Sequence, residues 1–414
     1  MLSRALEPIC RDPAFGRQMR FITGPRQCGK TTLARAILKK DGDTSLYYNW
    51  DTREVRDRYR QNPMFFTGDS HRNAAPSGSR HPWVVFDEIH KMPKWKNILK
   101  GQFDAAEDRF RFIVTGSARL DLFRKSGDSL AGRYFLFHLF PLTLRELPGA
   151  AAPAPPRAVP PALEWVLQRL DGSVNRQEAM ESLLACGGFP EPFLKADARF
   201  HRKWQAAHID RVVREDLRDL TRIPELENIA TLIRLLPGRV GSPLSLNALR
   251  EDLEVSHTAV RTYVRALELI LTVFLLRPFH KSLARAIRKE RKVYLFDWSL
   301  VGDPALRFEN YAALELKARV EMWNDAGIGE FDLGYVRNRD GRETDFLITA
   351  KGNPWLLLEA KLTDRPVESH HIRHARALGD IPFVQLTAEP GIALQEGRRV
   401  FRVSASRFFA DNEG

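Results

Sequence analysis

Cysteine is scarce in this chain. The three thiols, Cys10, Cys28 and Cys186, are odd in number and widely spaced, which indicates neither a disulfide framework nor a cysteine-based zinc site. Long apolar runs are also missing: no stretch approaches the ~18 residues that a membrane-spanning helix needs. The opening MLSRALEPICRDPAF is charged and broken by prolines, unlike a secretory leader. The expected location is therefore cytoplasmic, with no membrane partner. Acid is in deficit, since 52 Asp and Glu face 64 Lys and Arg for a net charge of +12. That balance favours anionic partners, with nucleotide and nucleic acid ahead of an acidic membrane surface. What is present in quantity is ordinary: 43% hydrophobic and 28% charged residues over 414 positions describe a globular protein of two or three domains.

The most informative stretch comes early. An apolar strand, Phe21-Ile22-Thr23, runs into Gly24-Pro25-Arg26-Gln27-Cys28-Gly29-Lys30-Thr31, and a helical run follows from Thr32 to Lys40. The octet fits G-x-x-x-x-G-K-[ST] between a strand and a helix, the context that a phosphate-binding loop requires. Gly24 and Gly29 let the backbone bring consecutive N–H groups onto phosphate oxygens, and the helix points its positive end to the same place. Lys30 would reach the β- and γ-phosphates of ATP, and the Thr31 hydroxyl would ligate Mg2+.

Farther on, Trp83-Val84-Val85-Phe86-Asp87-Glu88 is a continuous apolar strand that ends in two acids, the pattern of a strand buried on both faces of a parallel sheet. Ligands bind outside the carboxyl ends of such strands. Asp87 is the candidate to hold Mg2+ through its water shell, and Glu88 to orient or deprotonate an attacking water. Another strand, Phe110 to Val114, delivers Thr115-Gly116-Ser117 to the same edge, where Thr115 or Ser117 would sense the γ-phosphate or position the water.

In this order, GPRQCGKTT, VVFDEIHKMPKW, FIVTGSARL and SLAGRYFLFHLFPLTLREL resemble the AAA+-class P-loop ATPases of bacteria and archaea that carry a nuclease-like C-terminal domain. The resemblance implies a nucleotide site formed by residues 24–32 with Ser117, and Arg133 of the Gly132-Arg133 step as an arginine finger or sensor. His90 stands where that family often has Gln.

Past an Ala/Pro-rich linker, residues 148–161, comes a helical region over 162–237. A winged-helix pattern follows over 238–280, with Leu246, Leu249, Leu253, Val260, Tyr263, Val264 and Leu267 as its core. Ser256, His257, Thr258, Arg261 and Arg265 would face outward, where they suit a DNA backbone or groove; a lid or a protein contact is the competing view. The basic run Lys281 to Lys292 would add sequence-independent attraction for phosphate; a solvated helix face is the competing view.

In the last part, 281–414, the strands Phe331–Arg337, Thr344–Ile348 and Pro354–Lys361 are joined in part by the turn Arg339-Asp340-Gly341. Glu359 and Lys361 lie two apart and project to one side, and Asp345 on the neighbouring strand would meet them. Glu309, or Glu315 in its place, would complete a cluster able to hold Mg2+ or Mn2+. This looks like the restriction-endonuclease-like D…E-x-K arrangement, and the segments ENYAALEL, GRETDFLI and LLEAKLTD are similar to the same ATPase family. His370, His371 and His374 read as surface residues and are assigned no metal.

The expected architecture is α/β throughout. It has a P-loop parallel sheet over 1–147, a helical and winged-helix middle, and a nuclease-like α/β domain. The expected cofactors are ATP and Mg2+. The expected partners are nucleotide, nucleic acid and further copies of the chain.

Overall fold

The structure is a computed structural model that describes residues 2–72, 81–106, 108–116, 130–148, 156–171, 176–217, 225–280 and 290–410. The chain forms two compact units, Arg4–Phe140 and the residues from Pro141 onward.

In the first unit, five strands form one sheet: β1 Met19–Thr23, β2 Tyr47–Asn49, β3 Trp83–Asp87, β4 Arg111–Thr115 and β5 Tyr134–His138. Their order is β2-β3-β4-β1-β5, and every pair is parallel. The apolar runs make this arrangement favourable, because β1 and β3 are buried at every position and a parallel strand covered on both faces has no polar side to spare. Aromatic rings fill one layer of the core, with Phe66 set edge-on to Phe86, Phe110 and Phe112. The helix Lys30–Asp41 buries Leu33, Ala34, Ile37 and Leu38 and ends at Gly42, whose φ of 89° suits a residue without Cβ. The sheet order inserts β4 between β1 and β3, so three strand tips, ending at Thr23, Thr115 and Asp87, lie side by side.

The second unit contains an eight-stranded sheet in the order β12-β13-β11-β10-β9-β8-β6-β7. Its strands are β6 Val273–Pro278, β7 Lys292–Leu295, β8 Phe331–Arg337, β9 Glu343–Ala350, β10 Asn353–Lys361, β11 Phe383–Thr387, β12 Ala393–Gly397 and β13 Val400–Ser404. β8, β9 and β10 are antiparallel neighbours, and β11 joins β10 in parallel. The helix Pro304–Asp325 packs against β8, β10 and β7. Asp303 caps its start by accepting from the Ala305 and Leu306 amides at 2.8 and 3.0 Å, and Pro304 takes the first position, where no amide is needed.

Two helices, Leu246–Leu253 and His257–Leu269, meet at Glu254, which adopts a left-handed φ of 53°. They bury Leu249, Leu253, Val260, Tyr263, Val264 and Leu267 and leave Ser256, His257, Thr258, Arg261 and Arg265 exposed. The strand that follows, β6, pairs antiparallel with β7 and parallel with β8. The winged-helix and nuclease-like stretches thus share one sheet. The helix Ala162–Asp171 joins the same core, where Trp165 packs against Trp323, Trp355 and Phe408. Residues 149–155 of the Ala/Pro stretch and 281–289 of the basic run lie outside the described residues. Among the described residues, no helix is long and apolar enough to cross a membrane.

Candidate functional site

The loop after β1 is shaped by backbone that few side chains tolerate. Gly29 sits at a φ of 102° and Gln27 at 63°, both in the left-handed region that turns successive N–H groups inward. Gly24 is required by space: a Cβ there would run into the Leu139 carbonyl oxygen. Cys28 is fully buried, its Sγ directed at the Leu139 carbonyl at 3.6 Å, while Arg4 donates to the Cys28 carbonyl at 2.7 Å. Cys28 therefore acts as a small packing residue. Pro25 is buried, Arg26 and Gln27 are half-buried, and Thr32 is exposed at the start of the helix.

Lys30 is 8% exposed and curls over this loop, donating to the Gly24 and Pro25 carbonyls at 2.8 Å each. One residue on, the Thr31 hydroxyl donates to Oδ2 of Asp87 at 2.8 Å. That contact spans 56 residues of sequence. Two more hydroxyls converge on the same carboxylate: Tyr47 donates to Oδ2 at 2.5 Å, and Thr115 donates to Oδ1. Burial, and then the bond to Asp87, raise the Tyr47 phenol above its ordinary value and keep it a donor.

Glu88 extends from the same strand tip with a φ of 60°, an uncommon conformation for a side chain with a Cβ and one met at functional sites. Its amide donates to the Thr115 carbonyl at 3.1 Å. Burial first, and Asp87 second, push its carboxyl above the ordinary range, while Lys91, Lys30 and Arg26 oppose the rise. Buried His90 approaches it at 3.6 Å. For Mg2+ the donor set fits, because Thr31 and Asp87 offer a hydroxyl and a carboxylate, both hard oxygens, beside the Lys30 ammonium.

Arg133 is not brought to this site. It precedes β5, and its carbonyl accepts from Met19 at 2.9 Å, which puts it at the amino edge of the sheet. The register pairs Tyr134 with Met19 and His138 with Thr23, so Arg133 lies about 16 Å from the loop at ~3.3 Å per residue. Its guanidinium instead forms a two-pronged pair with Asp104 at 2.9 and 3.1 Å. Ser117 lies outside the described residues.

The second unit gathers a different set. Glu309, Asp345 and Glu359 come from a helix and two adjacent strands and are all buried or nearly so. Glu359 accepts from the Asp345 amide at 3.1 Å and pairs with Lys361 at 2.6 Å, and Asp345 accepts from the Ala360 amide at 3.2 Å. Glu315 does not substitute for Glu309. It faces away and accepts from the Leu144 amide at 2.7 Å, because six residues along a helix is about 1.7 turns and leaves the side chain roughly 120° from the Glu309 direction. Burial pushes Glu359 well above the ordinary carboxylate range and Glu309 up to about 7, with Asp345 the next contributor to each.

The histidines are not surface residues. His370, His371 and His374 are 8%, 1% and 8% exposed, and the Nδ1 atoms of His371 and His374 lie 2.8 and 2.9 Å from the Thr344 hydroxyl. Burial lowers His371 to about 3, so the ring is neutral and its 3.7 Å approach to Glu359 is no ion pair. The helix Ser369–Ala377 lays them against β9, which a sequence spacing of one and four could not distinguish from a solvent face.

Three participants were not singled out from sequence. Tyr47 carried no motif. Glu343 lies two residues before Asp345 and so on its side of β9. Lys292 was counted with the surface basic run, yet it is 2% exposed. Its Nζ lies 3.1 Å from Asp345, 3.2 Å from Glu343 and 3.8 Å from Glu309. Burial opposes its charge, but Asp345, Glu309 and Glu343 outweigh that and raise the ammonium above its ordinary value. Its signal was the period of two with Tyr294, whose phenol donates to Glu309 at 2.8 Å.

Comparison with known proteins adds the following. Residues 16–148 match the family described as AAA domain (AAA_14), and residues 177–310 match a domain of unknown function (DUF8612). The chain is 27% identical over 367 residues to the uncharacterized proteins Mb2031c of Mycobacterium bovis and Rv2008c of Mycobacterium tuberculosis, covering 86% of this chain and 73% of each relative. Among solved structures, the Aeropyrum pernix ORC1 protein in complex with DNA is similar at a TM-score of 0.27 and 15% identity, covering 76% of this chain and 91% of that one. The Bacillus subtilis DNA clamp loader delta protein (YqeN) gives 0.24 and 10%, covering 74% and 95%. The AAA-domain match is to residues 16–148, the stretch that holds the phosphate-binding loop and the Asp87 strand tip.

Proposed function

We propose that the chain binds ATP with Mg2+ in the loop of residues 24–32 and hydrolyses it by in-line attack of water on the γ-phosphate. The observation that carries this reading is the 2.8 Å bond between Thr31 and Asp87, which joins the loop to a distant strand tip. Bound Mg2+ would supply positive charge to the β- and γ-phosphate oxygens, and Thr31 and Asp87 are the residues that would hold it. Lys30 exchanges its two loop carbonyls for phosphate oxygens. Glu88 accepts the hydrogen of the attacking water, a role that its raised pKa favours. A finger role for Arg133 requires a second copy of the chain, since within one unit it stands at the opposite sheet edge.

The partner proposed for this turnover is nucleic acid. The net charge of +12 and the exposed Ser256, His257, Thr258, Arg261 and Arg265 on one helix support it. For the second unit, the antiparallel β8-β9-β10 with parallel β11 and the grouping of Glu309, Asp345, Glu359 and Lys361 support a nuclease-like fold. Of its two readings, metal-dependent cutting and metal-free holding of DNA or a protein, the placement of Lys292 among the acids favours the second.

ATP hydrolysis measured alone and with single-stranded DNA, double-stranded DNA or RNA tests the proposal. Turnover should rise with one of them and vanish in Lys30→Ala. A Lys30→Ala protein hydrolysing at the full rate would sink the ATPase reading. DNA cutting by the wild type with Mn2+, lost in Asp345→Ala, would establish cutting instead.

A further inference from the structure

A restriction-endonuclease-like cluster implies a divalent ion held by Asp345 and Glu359 with help from the helix acid, and the residues present do not fit one as they stand. Oxygen donors to Mg2+ or Mn2+ must lie about 2.0–2.2 Å from the ion and need to be free to turn toward it. Here the Lys292 ammonium lies 3.1 Å from Asp345, 3.2 Å from Glu343 and 3.8 Å from Glu309. An ion shared by Asp345 and Glu309 would fall in the volume that this ammonium fills, and the two cations would repel each other at contact distance. The remaining acceptors are committed too. Glu359 is tied to Lys361 and the Asp345 amide, and Glu309 is tied to Tyr294.

Lys292 is distinct from the lysine of the E-x-K pair. Lys361 already fills that role on β10, whereas Lys292 opens β7 at the far side of the sheet order, next to β6. Its ammonium carries three N–H donors and faces three carboxylates, one from the helix Pro304–Asp325 and two from β9. Gly241 closes this arrangement: at a φ of 74° its missing Cβ leaves room for the Glu309 carboxylate, which a Cβ would meet at 2.6 Å. Buried carboxylates left charged without a counter-charge are strongly destabilising, so a cation placed among these acids stabilises their ionised forms.

Resting on the nuclease-like reading of this unit, we propose that Lys292 is its built-in cation, standing where a divalent ion would otherwise be held and making the unit independent of metal at Asp345. The cluster is then a structural ion network that keeps the fold of a nuclease without its ion.

The experiment reads Mn2+ binding to the full chain without nucleotide, in an Asp87→Asn background so that the phosphate loop does not hold the ion. With Lys292 intact, no ion should bind in the millimolar range and the melting temperature should not move on adding Mn2+. Lys292→Met should melt several degrees lower, take up one Mn2+ with recovery of most of that loss, and lose the ion again on adding Asp345→Asn. If Lys292→Met cannot be recovered folded, Lys292→Met with Asp345→Asn removes one charge of each sign and should fold. A protein with Lys292 intact that binds Mn2+ and releases it on Asp345→Asn overturns the proposal without any variant at Lys292. None of these readouts depends on ATP turnover, so failure of the ATPase reading and failure of this one are separable.

Discussion

Asp87 accepts hydrogen bonds from three hydroxyls drawn from three elements, Thr31, Tyr47 and Thr115. A carboxylate so held cannot rotate freely, and its oxygens are already aimed at the site. Tyr47→Phe removes one bond to a charged acceptor, a loss of about 1–2 kcal/mol. The expected outcome is a melting temperature lower by a few degrees and about a tenfold higher Mg2+ requirement for ATP hydrolysis, measured by titrating Mg2+ at saturating ATP. Glu88 makes a prediction of a different kind. Glu88→Gln keeps the shape but cannot take a proton, so turnover should fall by about 10²–10⁴ while ATP still binds. Because burial raises the Glu88 carboxyl above 4.5, the wild-type rate should begin to fall at a higher pH than an ordinary carboxylate would dictate. A pH profile of kcat whose acidic limb sits at or below 4.5 would refute the assignment.

At the scale of an element, the helix Pro304–Asp325 serves two regions with one length of backbone. Glu309 faces the acid cluster, Asn310 closes a pair of bonds with Leu295 at 2.8 Å each, and Glu315 accepts the Leu144 amide. Burial raises Glu315 from 4.5 to about 7, so the folded state binds its proton more tightly than the unfolded chain. Its contribution to stability is therefore full below about 4.5 and is lost as pH climbs toward about 7, on the order of 3 kcal/mol in all. Thermal unfolding followed across that window should show the midpoint falling with rising pH, and Glu315→Gln should flatten the slope while keeping the Leu144 bond. Gly241→Ala tests the other end of the helix. The left-handed φ and the blocked approach to Glu309 predict a loss of about 1–3 kcal/mol, seen as a lower denaturant midpoint with an unchanged slope.

At the scale of the molecule, the positive balance should show as salt dependence. Nucleic-acid affinity, read by fluorescence polarisation, should drop at least tenfold between about 50 and 200 mM salt if several phosphates are neutralised. Affinity indifferent to salt would argue against a backbone-binding partner.

Much of this arrangement was legible in the order of residues, and the reasons are local. The phosphate loop is contiguous, so Gly24, Gly29, Lys30 and Thr31 declare the backbone path and the ligand class together. The buried strands also announced themselves, because a parallel strand covered on both faces is largely apolar, as Phe21-Ile22 of β1 and Trp83 to Phe86 of β3 are; Arg20 of β1 is the exception, buried with its guanidinium bonded to the Cys10 carbonyl. The E-x-K pair was visible for the same reason, since its members share one strand and a period of two decides their side.

What tertiary structure alone decided is the meaning of charges brought from different elements. Lys292 and the histidines of Ser369–Ala377 looked exposed because polar residues usually are, and only the sheet and its covering helix put them inside. Arg133 borders the loop-bearing strand, its carbonyl bonded to the Met19 amide, but at the wrong edge, a consequence of strand direction that linear spacing does not encode. That the acids of β9 face Lys292 depends on where the chain carries β7, a strand that is not their neighbour in the sheet, and that placement is a long-range choice.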